Sequence, residues 1–131
     1  MELDEYLKLN KRKKSHSHEE EDLQVRLVGW FKYTYPDAII CCTMGGLRLK
    51  MQVAIRAKKM GYHKGIPDLL IFEPCGKYAG LLMEVKTKDG QVSTDQKRTH
   101  ERLRSKGYFV GVGYGFDECQ QFIRGYMMKD E

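Results

Sequence analysis

Residues 64–87 read KGIPDLLIFEPCGKYAGLLMEVKT. Two apolar runs, 69–72 and 81–83, flank the turn signal Pro74-Cys75-Gly76-Lys77. Short apolar runs bounded by Gly and Pro are strands, and two of them around such a turn form a hairpin. The spacing predicts strands over 68–73 and 79–87. Both runs are apolar on each face, as a sheet covered on both sides requires. With the hairpin centred on Gly76, Asp68 lies opposite Glu84, Leu70 opposite Leu82, and Phe72 opposite Gly80. Directly opposed residues share a face, with Cβ atoms about 5 Å apart. Lys86 follows Glu84 by two positions, so it points to the same side.

That set of charges has a chemical meaning. Two adjacent carboxylates without a compensating cation drive one of them to protonate. A divalent metal between them removes that cost, and Mg²⁺ and Mn²⁺ prefer oxygen ligands. A nearby ammonium can orient an attacking water or stabilise charge on a phosphate. The plainer alternative makes Asp68 a turn cap after Pro67 and Glu84–Lys86 an exposed ion pair worth little. Against it, all three charges sit in very apolar strands, where a carboxylate without a task is unusual.

Outward from the hairpin, further elements follow. Leu23, Leu27 and Phe31, flanked by Trp30, recur at helical spacing and predict a helix over 19–33, ended by Pro36-Asp37. Residues 38–43 read as a strand, broken by Gly45-Gly46. A second helix is expected over 47–62. From 47 to 66 the chain carries Arg48, Lys50, Arg56, Lys58, Lys59 and Lys64 and no acidic residue. Such a one-signed run suits a phosphate-facing surface, although a charge run is usually only a solvated face. Residues 93–106 form a polar helix stopped by Gly107, 108–114 a further strand, and Phe116, Cys119, Phe122, Ile123 and Tyr126 mark a last amphipathic helix. The order α-β-α-β-β-α-β-α predicts an α/β fold: a small mixed β-sheet with a central β-hairpin, flanked by helices.

Composition narrows the classes. The chain has 131 residues, one domain's worth, and 41% of them are hydrophobic, so it can build a core. Lys plus Arg number 23 against 18 for Asp plus Glu, which favours an anionic partner. No run approaches the roughly 18 apolar residues of a membrane span, and the polar start carries no apolar signal core. Residues 1–18 read as a polar, basic leader and 19–131 as the folded domain. In the leader, Lys11-Arg12-Lys13-Lys14 is a frayed tail or a phosphate-touching arm, and His16-x-His18 alone makes a poor metal site. Cys41, Cys42, Cys75 and Cys119 have no Cys-x-x-Cys spacing, so they are expected to be reduced, mostly buried thiols in a cytoplasmic protein. No P-loop is present, so no nucleotide cofactor is expected.

The ordered motifs resemble a family. The chain has Glu20-Glu21-Asp22-Leu23-Gln24, Met44-Gly45-Gly46, Lys64-Gly65-Ile66-Pro67-Asp68, Glu84-Val85-Lys86 and Ser93-Thr94-Asp95-Gln96. This set is similar to the virus-type replication-repair nuclease (VRR-NUC) domain of the PD-(D/E)xK nuclease superfamily, in its standalone phage-type form. The resemblance covers nearly the whole chain from residue 19 to 126. It implies a restriction-endonuclease-like core, with Asp68, Glu84, the Val85 carbonyl and a first-helix Glu as metal ligands and Lys86 as the catalytic lysine. Glu20 precedes the inward-facing Leu23, Gln24, Leu27 and Phe31 and is the chosen helix acid, with Glu21 competing. Ser17-x-x-Glu20 also fits a capping box, as does Ser93-x-x-Gln96. Gln96 is therefore either a cap or a supporting group beside the site.

The implied activity is Mg²⁺- or Mn²⁺-dependent, structure-selective hydrolysis of DNA phosphodiesters by a Holliday-junction-resolvase-like homodimer. Branched DNA would be the partner, with Arg48, Lys50, Lys64, Lys97 and Arg98 as phosphate contacts. Three alternatives stand beside it: a flap-directed nuclease of the same family, a non-catalytic basic DNA-binding module, and a structural protein whose charges are merely solvated.

Overall fold

The computed structural model describes residues 16–44 and 50–128. In chain order these form α1 (His16–Thr34), β1 (Ile40–Cys42), α2 (Met51–Lys59), β2 (Leu69–Ile71), β3 (Leu81–Lys86), α3 (Thr94–Ser105), β4 (Phe109–Tyr114) and α4 (Phe116–Met127). This is the order expected from the sequence. The leader up to residue 15, Gly45-Gly46 and Arg48 lie outside the described residues.

The strands form one sheet in the order β1-β2-β3-β4. β1 and β3 run antiparallel to β2, while β4 runs parallel to β3. A parallel partner needs a crossover, and α3 supplies it. In the central hairpin Leu69 pairs with Met83, Leu70 with Leu82 and Ile71 with Leu81. This is the expected register. The tip departs from it: Cys75 faces Tyr78, one step out of phase, and the ladder ends at Ile71. Phe72 and Gly80 thus lie just beyond the paired residues, and the Phe72 N–H bonds the Ile39 carbonyl of the β1 side at 2.9 Å.

Alternation along β3 divides the molecule. Leu81, Met83 and Val85 pack with Leu27 and Phe31 of α1 and Cys119, Ile123 and Tyr126 of α4. A Cβ at Gly113 would collide with Cys119 Sγ and Met83 Cε, so bare backbone there lets α4 lie close to the sheet. Leu82, Glu84 and Lys86 point to the other face, which α3 covers.

Two expectations need correction. β2 is not covered on both faces, because Leu70 is only half-buried and Phe72 is 53% exposed. It lies next to the thin edge of the sheet, where β1 is three residues long, and α2 buries none of its own residues. No disulfide joins the cysteines among the described residues, yet only Cys119 is buried. Cys41 and Cys42 sit on edge strand β1 and are exposed, and Cys75 is half-buried beside the hairpin tip.

Candidate active site

Pro67 organises the acid-bearing end of the hairpin. The register that pairs Leu69 with Met83 would place Pro67 opposite Val85. Proline has no N–H, so the ladder cannot continue there. The Val85 N–H instead donates to Asp68 Oδ2 at 2.7 Å. The Val85 carbonyl, which points the same way as its N–H, is left without the ladder's donor. Thr43, just past β1, fixes the other side. Its N–H donates to the Asp68 carbonyl at 2.9 Å, and its hydroxyl donates to the carbonyls of Pro67 and Asp68.

Asp68 and Glu84 meet as the hairpin geometry requires. Their carboxyl groups are hydrogen-bonded, and only 4% and 1% of their surfaces are exposed. Burial, then the hydrogen bond to Glu84 and its charge, pushes Asp68 up to about 8. Burial also raises Glu84, against the lowering effect of Asp68 and Lys86. Without a cation, the pair thus retains a proton near neutrality. Lys86 lies on the same face, its side chain 12% exposed, with Nζ 3.9 Å from Glu20 Oε1. Glu20 reaches the site from the start of α1. Glu21 faces His18 instead, at 3.5 Å. Ser17 already lies within the helix rather than at its cap.

The remaining candidates are placed differently. Gln96 is engaged in a complete capping box: its Oε1 accepts from the Ser93 N–H at 2.8 Å, and its N–H donates to Ser93 Oγ at 3.2 Å. Lys64 is exposed and pairs with Asp95 of α3 at 3.2 Å. Lys50, Lys97 and Arg98 are exposed.

Sequence reading missed His100. Its Nε2 lies 3.1 Å from Glu84 Oε1, and both side chains are buried. Burial, followed by the Arg104 charge, holds this imidazole below its usual range. The available signal was a histidine four residues after Gln96, on the same face of a basic helix. Thr43 is a second such residue, since its sequence position marks only the end of a strand.

The VRR-NUC domain family model matches residues 5–117. The chain belongs to the VRR-NUC family. A solved structure described as a VRR_NUC domain protein aligns with a TM-score of 0.67 at 27% identity, over 85% of this chain and 90% of that one. No curated protein matches the chain. The protein is therefore a nuclease domain of the PD-(D/E)xK type, for which DNA is the implied substrate. No helix among the described residues is long and apolar enough to cross a membrane.

VRR-NUC and related nucleases usually use divalent metals. The donor set here fits one. It is made of oxygen, and the buried acid pair carries a repulsion that a dication would relieve. Among the described residues no group of three or more His, Cys, Asp or Glu side chains is placed to hold a metal. Two carboxylates suffice for Mg²⁺, which keeps several waters and takes phosphate oxygens as further ligands.

The raised acids predict how metal-free stability depends on pH. A carboxyl raised on folding contributes stability that is fully present below its ordinary range and is lost as pH rises through the folded value. The melting temperature in EDTA should fall by several degrees between about pH 5 and about pH 8.5, since each tenfold gain in proton affinity on folding is worth about 1.4 kcal/mol. Asp68→Asn should flatten the profile. Wild-type and Asp68→Asn profiles of equal slope would refute the shared-proton pair.

Proposed function

We propose that this VRR-NUC domain is a Mg²⁺- or Mn²⁺-dependent, structure-selective DNA endonuclease, acting as a Holliday-junction-resolvase-like homodimer in a reducing cytoplasm. The observation that carries this reading is the buried Asp68–Glu84 pair with Lys86 beside it. In this reading residues 19–131 are the nuclease domain, preceded by a basic leader. Asp68, Glu84 and the Val85 carbonyl hold the cation, with Glu20 completing the shell directly or through water. The bound cation supplies Lewis-acid stabilisation of the phosphate and lowers the pKa of an attacking water. Lys86 donates to that water or to a phosphate oxygen, and Glu20 restrains its Nζ. Gln96 supports the site by fixing the first turn of α3. Lys50, Lys97 and Arg98, together with Arg48 and Lys64, meet backbone phosphates, which position DNA without reading its sequence. A two-fold junction suits a two-fold enzyme.

The test is cleavage of a labelled four-way junction, a 5′ flap, a splayed arm and a plain duplex in Mg²⁺, Mn²⁺ or EDTA. The expected result is paired, symmetric, metal-dependent cuts confined to the junction. Cuts confined to flaps would keep the chemistry and replace the substrate. Salt-dependent binding with no cleavage under any condition would overturn the enzyme in favour of a basic DNA-binding module.

A further inference from the structure

α3, TDQKRTHERLRS, is a charged helix that buries only Thr99 and His100. Its one aliphatic residue, Leu103, is half-buried. A helix normally docks by removing an apolar stripe from water. Here the two buried side chains are polar, and each bonds to a segment that bears one of the site acids. Thr99 Oγ1 donates to the Lys64 carbonyl at 3.1 Å, a short way before Asp68. His100 Nε2 meets Glu84 Oε1 at 3.1 Å, with the two side chains 3% and 1% exposed. The axial position of α3 is set from the same segment. Lys64 pairs with Asp95, and Gly65 approaches so closely that a Cβ would lie 2.5 Å from the Asp95 carbonyl oxygen.

We propose that His100 is a positioning residue for Glu84: its Nε2–H holds Oε1, so that the carboxylate's remaining lone pairs are directed to Asp68 and to the divalent cation. The inference rests on reading Asp68 and Glu84 as cation ligands. It goes beyond that reading, because His100 meets Glu84 and is not among the groups read as holding the cation. Groups that orient a ligand from outside the metal shell commonly change metal affinity by about 10- to 100-fold. With Glu84 ionised as a cation ligand, Nε2 carries the proton, since an ionised carboxylate only accepts.

The test is a Mn²⁺ titration of the full chain without DNA, followed by the spin-resonance signal of free Mn²⁺ at one pH. Melting temperatures are recorded beside it. His100→Leu removes the donor. His100→Gln places an amide N–H near the position of Nε2, whereas the shorter His100→Asn does not reach it. Leu and Asn should weaken Mn²⁺ binding by about 10- to 100-fold, and Gln should stay within about threefold of wild type. Wild-type affinity in Leu and Asn would overturn the inference alone. If Leu does not fold, the Gln–Asn contrast decides, and equal affinities there overturn it. Loss of fold in all three variants would make His100 a packing residue and also overturn it. A wild-type chain that takes up no Mn²⁺ would overturn the cation reading, and the inference with it.

Discussion

Glu84→Gln is expected to reduce metal-dependent cleavage by on the order of a thousandfold while leaving the metal-free protein no less stable. The first effect follows from losing a charged ligand. Stabilisation of a phosphoryl transition state by a bound cation is worth several kcal/mol, and each 1.36 kcal/mol is tenfold in rate. The second effect follows from the acid pair. Gln has nearly the shape of Glu and offers His100 the same acceptor, but it removes the Glu84 charge that adds to burial in raising Asp68. Metal-free melting above about pH 7 should therefore be unchanged or higher. Activity and stability moving in opposite directions is the signature of a strained functional site. Cleavage within about tenfold of wild type would remove Glu84 from the active site. A marked fall in metal-free melting would mean the pair is a structural bond instead.

Gly65→Ala should be the most damaging small substitution in the hairpin's approach. Gly65 has φ +86, a conformation that costs an L-residue on the order of 1 kcal/mol or more. Its Cβ would also lie 2.5 Å from the Asp95 carbonyl oxygen and 2.8 Å from Thr99 Oγ1. Asp95 is backbone in the first turn of α3, so relief requires moving the helix. Overpacking of this kind adds about 1–3 kcal/mol. The total corresponds to a melting temperature lower by roughly 10 °C in a chain of this size. Gly107→Ala is the control, because Gly107 has φ +94 but nothing within 4 Å of a Cβ. If both variants lose equally, strain alone is at work and the close contact with α3 is refuted. If the contact holds, Gly65→Ala also displaces Thr99 and His100, and cleavage falls with stability.

What the sequence discloses follows the range of the forces involved. Elements set by local pattern are legible: Leu27 and Phe31 at helical spacing, the Pro74–Lys77 turn signal, and Ser93-x-x-Gln96 as a cap. The hairpin register is legible too, because apolar alternation and one turn constrain it. It therefore brings Asp68, Glu84 and Lys86 together before any tertiary contact is known. His100 was not legible, because it reaches Glu84 only through the docking of α3 across the sheet. Thr43 escaped notice for the same reason: its hydroxyl serves two carbonyls more than twenty positions away. Burial of the cysteines was misjudged because composition does not reveal that β1 is a short edge.

The connections within the sheet also bear on how the chain assembles. β2 and β3 are joined by residues 72–80, whereas β3 and β4 are joined by 87–108. Closing the shorter loop costs less chain entropy, so the hairpin is the cheaper contact to form in the unfolded chain. The two acids thus approach each other while still largely hydrated, when their repulsion is well screened. The penalty appears only later, as α3 crosses over to seat β4 and seals them from water. Mutual repulsion therefore burdens the late, docking stage of folding more than the nucleating one. A cation that binds at that stage would act chiefly by slowing unfolding.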